Sequence, residues 1–254
     1  MTEIWRLPRL AQLSAARSIM AVLRDTDGIA VLEFGMLSPL MIYTLLVAAD
    51  IAHGLEISRR MTVAANTIAQ LTSQVSTTSG TVTDPELTVI FDSIVATFPD
   101  VMADAASRQI NWQSDIQPIV TEVVFSCAVD PDINAAPPVA PNCGTATAVW
   151  SAGFNNGGGF PHLHRTCGTL PLDNTSTDNP SLTTLPAGLA APGSVIVVDL
   201  FYHFTPSYTK WLTGTVTFQR TAYLAPRFFY QLGYDTTTGV TSPYASCGST
   251  VVSS

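Results

Sequence analysis

At 254 residues the chain is long enough for one or two domains, and only 12% of its residues are charged against 46% hydrophobic. Its net charge of −8 is unevenly placed: residues 1–28 carry Arg6, Arg9, Arg17 and Arg24 against Glu3, Asp25 and Asp27, so the acidic excess belongs to everything that follows. A chain whose bulk is acidic and polar excludes nucleic acid as a partner.

Residues 1–28 form a weakly amphipathic basic stretch ending in RDTDG. It does not read as an ordinary secretory leader. The polar RDTDG separates the arginines from the apolar run, and no small-x-small cleavage site follows that run. The run itself, residues 28–51 (GIAVLEFGMLSPLMIYTLLVAADI), holds one acid near its start, Glu33, and no charge at all between positions 34 and 49. As a helix, residues 29–51 would extend roughly 35 Å, more than the roughly 30 Å hydrocarbon core of a bilayer, so the segment can span with some tilt. The arginine excess before it, with only Arg59 and Arg60 soon after, favours a cytoplasmic N-terminus and places the rest in the periplasm or outside the cell. Asp50, at the far end, reads as an unremarkable interfacial acid.

Helical periodicity continues past the apolar run. Ile57, Met61, Ala64, Ile68, Leu71 and Val75 keep a 4-3-4-3-4 spacing with polar residues between them. One helix of about 45 residues follows, membrane-embedded first and amphipathic second, with its stripe packed on the protein's own globular part. Pro39 should kink it or loosen its ladder locally. Residues 72–83 read as fraying helix and loop. Asp84-Pro85-Glu86 is a helix start, and Leu87, Ile90, Phe91, Ile94, Val95 and Phe98 give that helix one apolar face, ending before Pro99. Residues 119–129 read as a β-branched strand. Residues 130–193, rich in Pro, Gly, Asn and Thr, read as a loop insertion. Residues 195–204 form an apolar strand, 205–211 a short turn or helix, and 214–224 the antiparallel partner. Tyr208 and Trp211 are expected to pack under the sheet. The tail after Arg227 is Gly/Ser/Thr-rich and is expected to be tied back by Cys247.

Cys127, Cys143, Cys167 and Cys247 all follow the apolar run, and an even number there suits disulfides in an oxidising compartment. Three pairings are open, as is a set of four free thiols. His162, His164, Cys167 and His203 have the residue types of a metal site, but their spacing matches no standard zinc pattern. Gly157-Gly158-Gly159 lacks the strand and helix that a phosphate cradle needs, and there is no GxSxG elbow to anchor a nucleophile. The expectation is therefore no enzymatic activity, no metal and no cofactor.

The segment Gly28-Ile-Ala-Val-Leu-Glu33-Phe34 resembles the processing site of type IV prepilins and pseudopilins. With Pro39 six residues after the glutamate and Ala64-Ala65-Asn66 further on, it is more closely similar to the TadE/TadG-like pseudopilins of the tight-adherence (Flp pilus) system. SVIVVDLFYHFTP (194–206) and TVTFQRTAYLAPR (215–227) look like that family's C-terminal strands and terminal Pro-Arg. The resemblance is specific over residues 24–75, looser over 194–227 and absent between. Phe34 stands where the major pilins usually have tyrosine, a variation the minor pseudopilins share.

The resemblance implies cleavage between Gly28 and Ile29 by a membrane-embedded prepilin peptidase, and an assembly role for Glu33, Phe34 and Pro39. Physically, a cut there frees an ammonium at Ile29. In a bundle of such helices Glu33 of one subunit would meet that amine on another, and two charges that are each costly in lipid would become a pair that also sets register. Implied partners are the peptidase, other pilins and pseudopilins, the inner-membrane assembly platform and inner-membrane lipid. The expected architecture is α+β: a leader (1–28), a transmembrane and amphipathic helix (29–78), and a periplasmic globular domain (79–254). That domain would hold a small pilin-like antiparallel sheet of about four strands, one covering helix and the insertion 130–193. The alternative is an uncleaved membrane anchor carrying a periplasmic binding or enzymatic domain.

Overall fold

The apolar run and the stripe behind it form a single helix, α1 (Asp27–Ser73), 47 residues long with Pro39 inside it. The computed structural model describes residues 27–75, 80–128, 142–155, 159–160, 162–173, 181–235 and 242–248. Most of the expected leader, and residues 130–141, 156–158, 161 and 174–180 of the expected insertion, lie outside them. The expected stripe does pack inward. Ile57, Met61, Ala64 and Ile68 are buried, joined by Ala65 and Ala69, while Leu71 turns outward.

After α1 come β1 (Thr81–Thr83) and α2 (Asp84–Thr97). The start of α2 is a reciprocal cap, but one residue earlier than Asp84: Thr83 is the N-cap, and the Glu86 carboxylate accepts from the Thr83 N–H at 2.8 Å and its hydroxyl at 2.9 Å. A further helix, α3 (Asp100–Arg108), was not legible; it is short and buries only Val101 and Ala105. The main sheet is built from β2 (Ile116–Ala128), β3 (Asn142–Phe154), β4 (Gly168–Leu170), β7 (Gly193–Phe204), β8 (Val216–Leu224) and β10 (Tyr244–Cys247). Its order is β10-β3-β2-β7-β8, with β4 also on β3, and every pairing is antiparallel. Two small parallel pairs stand beside it among the described residues: β5 (Leu172–Asp173) with β6 (Leu185–Pro186), and β1 with β9 (Gly233–Asp235).

The class is α+β, but among the described residues the sheet has six strands rather than about four, and both of its faces are covered. Along β7, Ile196, Val198, Leu200, Tyr202 and Phe204 face the helices and share a core with α1 and α2. Val197 and Phe201 face the other way, into two smaller clusters with Phe160, Leu170, Leu182 and Leu185. A strand buried on both faces reads as a continuous apolar run, which is why β7 stood out.

The expected loop insertion is corrected by this second layer. Residues 142–154 are a full sheet strand, and residues 159–160, 162–173 and 181–190 lie over the outer face. Small residues are what that packing needs. A Cβ on Gly153 would overlap the Leu163 carbonyl oxygen and lie 2.7 Å from Gln117 Nε2, which itself donates to Leu163 O at 3.2 Å. The stretch read as loop for its Pro, Gly, Asn and Thr content thus holds a strand in which Gly153 marks close backbone approach. The tail is tied back by Cys247, as expected, and also supplies β9 and β10.

Two disulfides resolve the three open pairings: Cys127–Cys143 and Cys167–Cys247, with no free cysteine. The first joins directly opposed residues at the end of the β2–β3 ladder. The second ties the outer-face segment to β10 and closes a span of 80 residues. Loop-closure arguments therefore make the second the more stabilising. A Cys167→Ser/Cys247→Ser double variant is expected to lose about 2–5 kcal/mol of unfolding free energy, measured by denaturant titration in detergent micelles.

Candidate functional site

The first half of α1 stands clear of the sheet. Leu32, Phe34, Met36, Leu37, Leu40, Met41, Ile42 and Leu45 are all more than half exposed, whereas a core helix of this composition would be buried. Residues 32–73 contain a helix long and apolar enough to cross a membrane. Glu33 and Pro39 are exposed on its surface, and Phe34 is 69% exposed. Gly28 and Ile29 belong to the helical backbone of the same element. The helix continues through Pro39. Pro39 has no N–H to give the carbonyl four positions earlier, that of Gly35.

At the other end of the bare surface, Asp50 is buried and fully engaged. Its Oδ1 accepts from Ser207 N–H at 3.1 Å. Its Oδ2 accepts from Tyr208 N–H at 3.0 Å, Thr209 N–H at 2.7 Å and the Thr209 hydroxyl at 2.8 Å. Three successive backbone N–H groups thus wrap one carboxylate, just ahead of the short helix α4 (Lys210–Thr213). The carboxylate holds the β7–β8 connection against α1 at the level where the apolar run ends. Asp50 is therefore a structural clamp, not an idle interfacial acid. Nothing local betrays it, because its partners lie more than 150 residues away in sequence.

Around this clamp, Tyr43 and Trp211 bring their ring centroids to 6.2 Å, His53 meets Phe204 edge-on at 5.5 Å, and Arg220 donates to the Ser58 hydroxyl. Between helix and connection runs a groove of about 560 Å³ lined by Tyr43, Val47, Ile51, Leu55, Leu212 and Val216 among others. Tyr208 and Trp211 do not pack under the sheet as expected. They are 54% and 75% exposed, because the connection reaches beyond the last paired residues of β7 and β8.

Of the remaining candidates His162 is exposed, and the others are taken up in structure. Cys167 is consumed by its disulfide, His164 Nδ1 lies 2.7 Å from Arg165 O, and His203 stacks on Phe160 at 3.9 Å. Among the described residues no group of three or more His, Cys, Asp or Glu side chains could hold a metal ion. On the outer face, Arg165 and Asp199 form a fully buried bidentate pair, with Nε–Oδ2 at 2.6 Å and Nη2–Oδ1 at 3.0 Å. That pair joins the insertion to β7; neither residue was singled out in the sequence. Comparison of the chain with protein-family models, with curated proteins and with solved structures finds no match.

Proposed function

We propose that this chain is a minor pseudopilin of a Flp or tight-adherence type assembly system, anchored in the inner membrane by α1 and processed after Gly28. In this reading its N-terminus is cytoplasmic, its sheet domain is periplasmic, and its work is structural. The helix joins a bundle of other pilins and pseudopilins on the inner-membrane platform, in pilus biogenesis or its initiation. The single observation that carries the reading is the bare apolar surface of α1 with an exposed carboxylate, Glu33, near its start. Such a surface asks for lipid or sister helices, and such a carboxylate asks for a cation. The free Ile29 ammonium of a processed neighbour is that cation. Two disulfides add support for an oxidising compartment around the sheet domain.

The test is the N-terminal sequence of the protein purified from its own membranes, with and without the host's prepilin peptidase. The expected result is a start at Ile29 that depends on the peptidase. In that background Glu33→Ala should leave the subunit membrane-bound and folded while its recovery in the assembled structure falls at least about tenfold, the effect of losing roughly 1.4 kcal/mol of pairing. A start at Met1 in both strains removes the Ile29 amine, and an uncleaved anchor carrying a periplasmic binding or enzymatic domain takes its place.

A further inference from the structure

We propose that the β7–β8 connection is a second membrane contact, an interfacial foot that seats the sheet domain on the lipid surface beside α1. The inference rests on α1 spanning the bilayer. The clamp fixes depth. Trp211 packs beside Tyr43, which lies six residues inside the last uncharged position of the run, so about 9 Å along the helix axis toward the bilayer centre. If α1 crosses the membrane, Trp211 is carried to the headgroup and acyl boundary, where tryptophan and tyrosine concentrate and where interfacial apolar faces bury some 5–10 Å deep.

The residues of the foot fit that place. Trp211 is 75% exposed, Leu212 62%, Tyr208 54% and Val216 38%, an apolar cluster at the tip of a connection whose cation is Lys210. A loop edge of the fold facing water would not present this set, whereas a lipid interface takes aromatic bodies, an aliphatic anchor and a snorkelling lysine together. The backbone is prepared as well. Ser207, Tyr208 and Thr209 give their N–H groups to Asp50, Leu212 and Thr213 give theirs to Thr209 O, and Gly214 gives its own to Lys210 O. Irregular backbone is tolerated against hydrocarbon only when its polar groups are satisfied internally. Asp50 supplies half of that satisfaction from the spanning helix itself. The groove behind the foot, apolar and open beside Ile51 and Leu55, continues the surface of α1 and gives acyl chains room to pack against both elements.

The test uses the full chain and its Trp211→Phe variant, each reconstituted into vesicles of phosphatidylcholine and phosphatidylglycerol, three to one, with acyl chains either plain or brominated near the headgroup. The difference in fluorescence between the two chains isolates Trp211 from Trp5, Trp112 and Trp150. In brominated vesicles the Trp211 signal should fall by about half, as a ring at the interface requires, while aqueous iodide leaves it nearly unchanged. Quenching by iodide but not by bromine overturns the foot while leaving the anchor intact. Protection from both quenchers also overturns it, in favour of a second copy or another protein covering the tip. Loss of the protein from the vesicles on alkaline wash overturns the anchor, and the foot with it.

Discussion

Replacing Arg165 by leucine is expected to destabilise the sheet domain by about 3–5 kcal/mol, a large part of the 5–15 kcal/mol that holds a typical domain together. Arg165 and Asp199 are both 0% exposed. The guanidinium donates twice to the carboxylate, and Thr221 donates a third bond to Asp199 Oδ1 at 2.6 Å. The Arg165 N–H donates to Ser151 Oγ at 2.8 Å, so the residue also fixes its own segment on β3. Without the guanidinium, Asp199 keeps the Thr221 hydroxyl but loses its counter-charge in a site closed to water. Asp199→Val strands the arginine in the same way. The joint Arg165→Leu/Asp199→Val chain should lose less than either single variant, because no unpaired charge remains and the apolar replacements fill the space. Denaturant unfolding of the four chains in detergent micelles measures this as a cycle. Single variants within about 1 kcal/mol of the parent would mean that water reaches the pair, since an exposed ion pair is worth no more than that. The same loosening should appear as new proteolytic cuts near Arg165, within residues 162–173, the segment that the pair joins to β7.

What was legible in the sequence divides by range. The helix α1 shows itself locally, through an uncharged run and then a stripe that Ile57, Met61, Ala64 and Ile68 keep for three turns. β7 shows itself because both of its faces are buried and nearly every residue is apolar. The strand β3 does not. Its Ala146, Ala148, Ser151, Ala152 and Gly153 are small because another segment lies against them, and that reason is visible only in three dimensions. Asp50 and Arg165 share the difficulty: each looks like an ordinary surface charge until its partner arrives from more than thirty residues away. Trp211 failed for a different cause. Burial is the safe expectation for a tryptophan in a soluble fold, but it does not hold for the tip of a connection lying beside an apolar helix.

Glu122→Gln is expected to stabilise the protein above neutral pH and to change little in acid. Glu122 sits on β2 at 0% exposure, opposite Trp150 on one side and Ile196 on the other. Its Oε1 accepts from the Leu232 N–H at 3.1 Å, while Oε2 is a buried atom without a hydrogen-bond partner among the described residues. The Ser194 hydroxyl stands close by, but its proton is spent on Tyr230 O at 2.7 Å. Burial therefore dominates and pushes the carboxyl up to about 7, against the weaker pull of Ser194 and the Leu232 N–H. The folded chain then holds a proton that the unfolded chain releases near pH 4.5, so stability falls as pH rises from there to about 7 and stays lower above it. The full difference is on the order of 3 kcal/mol, and glutamine, which keeps the acceptor for Leu232 and never ionises, should recover most of it at pH 8. Unfolding free energies of the two chains, measured from acid to mildly basic pH, should diverge through that window and run parallel above it. Equal pH dependence in the two chains would require a water, a cation or a re-aimed Ser194 hydroxyl on Oε2, since such a partner keeps a carboxylate charged between Trp150 and Ile196 without loss of stability.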